Sequence, residues 1–198
     1  SKTWSQLPQG AVDEDRLLEE LRSQLFHSMN AAHPGYIGHM DSIPTTMSVI
    51  GDLLVAALNN NMLSVEMSPL FSRLETTVLQ QITQLFGLGP QANGVLVSGG
   101  SLANLQALLV ARNIAFNALD HGIPQGQQPV FFVSEVAHTS FKKAAMVMGL
   151  GTKAAIPVAT NHNSQINLDD LKTQLTTAKN QGQTPFAIVA TAGTTVTG

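Results

Sequence analysis

Cysteine is absent from the chain, which excludes disulfides, thiolate chemistry and zinc–thiolate sites. A reducing compartment suits such a sequence, so a cytoplasmic location is the expectation. Charge is scarce as well: 10 Lys and Arg and 13 Asp and Glu among 198 residues, for a net −3. No basic stripe points to nucleic acid and no polybasic segment to an acidic membrane. No apolar run approaches the roughly 20 residues that span a bilayer. The first residues carry neither the basic nor the apolar block of a signal peptide. The Gly-x-x-x-x-Gly-Lys-Ser/Thr and Gly-x-Gly-x-x-Gly fingerprints of nucleotide sites are missing. No acidic cluster has metal-ligand spacing, so no metal is expected. Against so little charge, the hydrophobic fraction is 43%. That balance implies that much of the surface is covered, by the rest of a longer chain or by a partner subunit.

The residues that are present organise themselves clearly. Residues 1–12 read as an irregular arm. Asp13 to Phe26 has Leu17, Leu18, Leu21 and Leu25 at helical spacing, with acids in its first turn. Asn30 to Pro44 is dense in breakers (His33-Pro34-Gly35, Gly38, Pro44) and reads as a bent loop. Thr45 to Leu58 is an apolar helix ended by three asparagines. Ser68 and Pro69 open a third helix, as cap and first helical residue.

From residue 94 the rhythm changes to alternation of strand and helix. Strands are expected at Gly94–Val97, Val130–Val133, Ala154–Val158 and Phe186–Ala190. Helices are expected from Ser101 to about Ala118, from Ser140 to Met148, and from a cap at Asn167 to about Asn180. This order implies an α/β fold with a mostly parallel sheet flanked by helices.

In such sheets ligands bind beyond the carboxyl ends of the strands. There the sequence delivers Ser98-Gly99-Gly100-Ser101, then Ser134-Glu135-Val136-Ala137-His138, then Thr191-Ala192-Gly193-Thr194-Thr195. The first is a glycine turn running straight into a helix. It aims backbone N–H groups and a helix dipole at one point, which suits a phosphate. Ser101 is expected to add a hydroxyl there and to cap the helix. His138 could stack on a flat ring or donate to its substituents, and Thr195 could bond a ring substituent or hold His138. A heteroaromatic phosphate ester meets all three demands, and pyridoxal 5′-phosphate fits that description.

The motifs then add up to a resemblance. They are Ser98-Gly99-Gly100-Ser101-Leu102-Ala103-Asn104; Ser134-Glu135-x-x-His138-x-Ser140-x-x-Lys143-Ala144-Ala145; and Ala190-Thr191-Ala192-Gly193-Thr194-Thr195-Val196-Thr197-Gly198. With His33–Met40 and Ser68-Pro69-x-x-x-x-Leu74-Glu75 upstream, this pattern resembles the pyridoxal-phosphate-dependent group II amino-acid decarboxylases. These include the glutamate, aromatic amino acid, cysteine sulfinate and diaminobutyrate decarboxylases. The likeness covers residues 30–198, in the family's order and spacing.

The resemblance implies a type I aminotransferase-like fold: an N-terminal helical segment over 1–66, then the first part of the large cofactor-binding domain over 67–198. It implies pyridoxal 5′-phosphate as cofactor, with Gly99, Gly100 and Ser101 on its phosphate, His138 stacked on its ring as the catalytic residue, and Thr195 beside it. Tyr36 and His39 would line the substrate pocket. It implies a homodimer with the active site at the interface, acting on an amino acid, with a lean toward an acidic or diamino substrate. The family's aspartate on the pyridine nitrogen and its cofactor-linked lysine have no match here. Lys142, Lys143 and Lys153 do not fill the second role, because Lys142 and Lys143 belong to the helix after His138 and Lys153 follows it. The chain is therefore read as the N-terminal part of a longer decarboxylase, inactive alone. Another fold-type I pyridoxal enzyme (an aminotransferase or lyase) and a non-catalytic phosphate-binding α/β module are the competing readings. A separately encoded C-terminal half is a further possible partner.

Overall fold

The computed structural model describes residues 9–38 and 42–198. The chain divides into two compact units, Ser1–Ser72 and Arg73–Gly198.

The first unit is helical. Helix α1 (Glu14–Leu25) starts where Asp13 accepts the N–H of Arg16 at 3.0 Å. Helix α2 (Thr46–Leu58) starts where Thr45 Oγ1 accepts the N–H of Ser48 at 3.2 Å, and ends at Asn59 in the left-handed conformation. Neither helix buries a single residue. Met47, Leu53 and Val55 of α2 are each about two-thirds exposed or more. Helix α3 (Pro69–Leu85) follows. Ser68 does precede it, but its buried hydroxyl has no hydrogen-bond partner, so the expected side-chain cap is not formed.

The second unit carries the sheet. Helix α4 (Gly100–Phe116) is followed by β1 (Pro129–Ser134), α5 (Ser140–Val147), a 3₁₀ turn (Thr152–Ala154), β2 (Ala155–Val158), α6 (Leu168–Asn180) and β3 (Thr184–Ile188). The three strands are parallel in the order β2-β1-β3. Phe131 pairs with Ala155 on one side and Ala187 on the other. All six residues of β1 are buried. Successive side chains of a strand point to opposite faces, so both faces of β1 are covered, as a parallel sheet requires. The two outer strands each carry a proline, Pro157 and Pro185. A missing N–H is tolerated in an edge strand or at a strand's first residue, where the central β1 carries Pro129.

The core gathers Phe131, Phe132 and Val133 from β1, Leu108 from α4, Phe141, Ala144 and Ala145 from α5, and Ala178 from α6. Phe186 of β3 meets Phe131 and Phe116 edge-on, with ring centroids 5.7 and 6.2 Å apart. Helix α4 packs on α5 and β3, and α6 packs on β2 and β3. The start of α6 is fixed by Asn167, whose side chain accepts the N–H groups of Asp169 and Asp170 at 3.0 and 3.2 Å.

Two expectations need correction. Gly94–Val97 does not form a strand. Its residues Val95 and Leu96 are 56% and 59% exposed, and it is hydrogen-bonded to no strand of the sheet. A strand exists by virtue of a paired neighbour, and local β propensity cannot supply one. The last strand starts two residues earlier than expected, at Thr184, because Gln128 just before β1 accepts the Thr184 N–H at 2.8 Å. Among the described residues no helix is long and apolar enough to cross a membrane.

Replacing the fully buried Phe131 by alanine should destabilise the chain by about 3–5 kcal/mol. Asn167→Ala, which removes one cap, should cost about 1 kcal/mol. Urea unfolding measures both; an Asn167→Ala effect as large as that of Phe131→Ala would contradict the core described above.

Candidate active site

The site forms where two segments leaving the sheet meet the start of α4. The first of the three in the chain is that helix start. Gly99 is the residue before the helix, with φ +86° and no side-chain cap bond. That left-handed angle is costly for any residue with a Cβ and open to glycine. It lets the Gly99 carbonyl accept from Leu102 and Ala103 at 3.1 Å each, closing the first turn tightly. Gly100 and Ser101 are therefore the first two residues of the helix, where N–H groups have no intrahelical acceptor. The expected capping role of Ser101 is not observed, because Gly99 takes the cap position.

The second segment leaves β1. Ala137 N–H bonds the Ser134 carbonyl at 3.0 Å, turning the chain so that His138 lies just ahead of α5. This turn is anchored from outside. Glu135 Oε1 accepts both the N–H and the hydroxyl of Thr160 at 2.7 and 2.8 Å, tying the exit of β1 to the exit of β2. Asp170 on α6 accepts the neighbouring N–H of Ala159 at 2.7 Å.

The third segment follows β3. Val189 N–H still bonds Phe132 O at 2.8 Å, so the chain leaves the sheet just past Val189 and turns through Gly193. Thr194 is used locally: its hydroxyl meets Thr197 Oγ1 at 2.6 Å and accepts the Thr197 N–H at 2.9 Å.

These segments line one open cavity of about 750 Å³. Gly100, Ser101 and Asn104 of α4 line it, with His138, Thr191 and Thr195. Its apolar wall is Ala107, Leu108 and Ala111 of α4, Phe141 of α5 and the end of β3. Its size lies within the range of small-molecule sites, about 300–1,000 Å³. No Asp, Glu, Lys or Arg lines it. An anion there would be met by N–H groups, hydroxyls and the helix dipole rather than by a cationic side chain. Lys142 and Lys153 line a different cavity, against Ile156 and Gln174.

Four of the residues singled out by sequence, Gly100, Ser101, His138 and Thr195, thus share one cavity. Gly99 sets the turn behind it. Tyr36 lies in the first unit, its hydroxyl 3.5 Å from Met29 Sδ. His39 falls outside the described residues. Asn104, part of the glycine-turn motif, donates from its side chain to Ser140 Oγ, 36 residues on, at 2.9 Å. A signal for its place existed. Residues 100, 101, 104, 107, 108 and 111 follow the three-and-four spacing of one helix face.

The Pyridoxal-dependent decarboxylase conserved domain matches residues 2–198. The glutamate decarboxylase of Drosophila melanogaster is 32% identical over 194 residues, covering 97% of this chain and 38% of that protein. The aspartate 1-decarboxylase of Aliivibrio fischeri is 37% identical over 212 residues, covering 93% of this chain and 38% of that protein. The crystal structure of mouse CSAD superposes with a TM-score of 0.90 at 27% identity, over 96% of this chain and 40% of that one. The chain thus spans about two-fifths of the length of these relatives. With the conserved domain matched along almost the whole sequence, and a glycine turn, an imidazole and a hydroxyl loop meeting at one cavity, the chain belongs to the pyridoxal-dependent decarboxylase family.

Proposed function

We propose that this chain is the N-terminal part of a decarboxylase that converts an L-amino acid to an amine and carbon dioxide, and that its cavity holds pyridoxal 5′-phosphate. The observation that carries this reading is the convergence of three distant segments on one cavity, with an uncapped helix start at one end and an imidazole beside it.

The cavity fits the cofactor on its own terms. A Cβ built on Gly100 would meet nothing within 4 Å, and the φ of Gly100 is not positive. Neither packing nor backbone conformation requires glycine at 100. Its benefit lies outside the chain, in leaving the first-turn N–H groups open to close approach by an anion. Gly99 supplies the turn, and Gly100 and Ser101 the donors for the phosphate. His138 stacks on the pyridine ring and serves as the catalytic residue, and Thr195 lies beside the ring. When bound, the cofactor supplies an electron sink for the charge that develops on the substrate's α-carbon. The chain's own residues would orient it: donors at one end, the imidazole of His138 on its ring, and an apolar wall along α4.

No lysine lines the cavity. The cofactor-linked lysine and the aspartate on the pyridine nitrogen then come from the further length that the relatives possess, and the 198-residue chain alone binds without turning over. The unburied faces of α1 and α2 support a homodimer in which a partner covers them. Tyr36 and His39 are assigned to the substrate side of the site. An acidic amino acid is the favoured substrate class, since the relatives named above are glutamate and aspartate decarboxylases. A cytoplasmic location accords with the lack of cysteine.

Gly100→Ala tests the phosphate cradle. Alanine is the better helix residue by about 1 kcal/mol, so thermal stability should hold or rise. Affinity of the chain for pyridoxal 5′-phosphate, read by equilibrium dialysis, should fall about tenfold or more. Unchanged affinity would move the phosphate elsewhere. In the full-length enzyme, His138→Ala should cut carbon dioxide release from glutamate or aspartate by about 10² or more. The exposed His121→Ala should leave it within about twofold, as surface changes usually do. Equal losses from the two histidines would refute the assignment.

A further inference from the structure

Helix α5 begins without a serine or threonine cap. Thr139 occupies the cap position and makes no side-chain cap bond. The N–H of Ser140 donates instead to His138 Nδ1 at 3.2 Å, and that of Phe141 to the His138 carbonyl at 3.3 Å. The imidazole therefore stands in for the missing cap. A ring nitrogen that accepts a hydrogen bond carries no proton, so in the neutral ring the proton sits on Nε2.

Ser140 is itself held from another helix. It is 2% exposed, and its Oγ accepts a hydrogen bond from Asn104 Nδ2 at 2.9 Å. Asn104 lies one turn into α4, on the cavity that His138 also lines. The bond thus joins the helix start offered to the phosphate to the helix start held by the histidine.

We propose that Asn104 and Ser140 are positioning residues that act through His138. Their bond fixes the start of α5 against α4, and that start holds the imidazole in one tautomer, with Nδ1 engaged and Nε2–H left as a donor. A donor at that position suits an anionic oxygen of the ligand. The functional consequence rests on the proposed cofactor site; the tautomer does not.

The experiment is nitrogen NMR of the histidine-labelled chain, paired with titration by pyridoxal 5′-phosphate. In the wild type, His138 should show an unprotonated Nδ1 and a protonated Nε2; a proton on Nδ1 would overturn the proposal before any variant is made. Asn104→Ala and Ser140→Ala should each mix the tautomers and weaken binding of pyridoxal 5′-phosphate about 3- to 10-fold, the span of one hydrogen bond. The double variant should be no worse than either single one, because both remove the same bond. Asn104→Asp, which can accept from the Ser140 hydroxyl, should restore the wild-type tautomer. Persistence of the Nε2–H tautomer in both alanine variants would refute the coupling. So would loss of affinity in Asn104→Ala without loss in Ser140→Ala, since Asn104 would then be touching the ligand itself. If the tautomers respond as stated and pyridoxal 5′-phosphate does not bind, the coupling stands and the cofactor site falls.

Discussion

The first N–H groups of a helix have no acceptor within it, and the way each helix start meets that demand organises this chain. Where the start is purely structural, a short polar side chain from the preceding residue answers it: Asp13 for α1, Thr45 for α2, Asn167 for α6. At α5 the acceptor is an imidazole, so a structural demand is met by a chemically active group. At α4 the preceding residue is a glycine with no side chain to offer. The helix's first two residues, Gly100 and Ser101, line the cavity. The starts of α3, α4 and α5 all depart from that pattern, and those of α4 and α5 line one cavity.

The sheet determines where those starts lie. Because β1 is buried on both faces and flanked by parallel strands, every connection leaving it must climb out at the same edge. That edge receives the exits of β1 and β3 together, and α4 is held beside them by its packing on β3 and α5. Glu135, bonded twice to Thr160, prevents the β1 exit from drifting. The site is thus built from loops whose ends are clamped, the usual way a rigid scaffold presents reactive groups.

What could be read from the sequence follows from the range of the interactions concerned. Helix starts were legible to within a residue because a cap is a contact across three residues: Asn167 reads as a cap and is one, Asp13 and Thr45 read as first helical residues and prove to be caps, and Ser68 reads as a cap but leaves its hydroxyl unbonded. The turn at Gly99-Gly100 was legible for the same reason, although the roles within it were not. Ser101 looks like a cap by residue type, and only the positive φ of Gly99 shows that the helix has already begun. Gly94–Val97 misled in the opposite sense. Its composition is strand-like, but strand formation depends on a distant partner, which local pattern does not encode. Asn104 falls between these cases. Its place on the cavity face is visible in the helical spacing, whereas its bond to Ser140 spans 36 residues and needs the fold.

That long-range bond bears on energetics as well as position. The start of α4 and an imidazole ahead of α5 could have been two independent features, brought into register only when a ligand arrived. The ordering would then reduce the affinity for whatever binds. Here the two helices pack on each other, and a buried hydroxyl and a side-chain amide join them close to the cavity. The entropy of setting the histidine against the start of α4 is lost on folding, where core burial offsets it, and not on binding. An uncharged cavity has particular need of this arrangement. Since no lysine or arginine of this chain lines it, what its own residues can offer an anion is short hydrogen bonds, whose donors must already be in place.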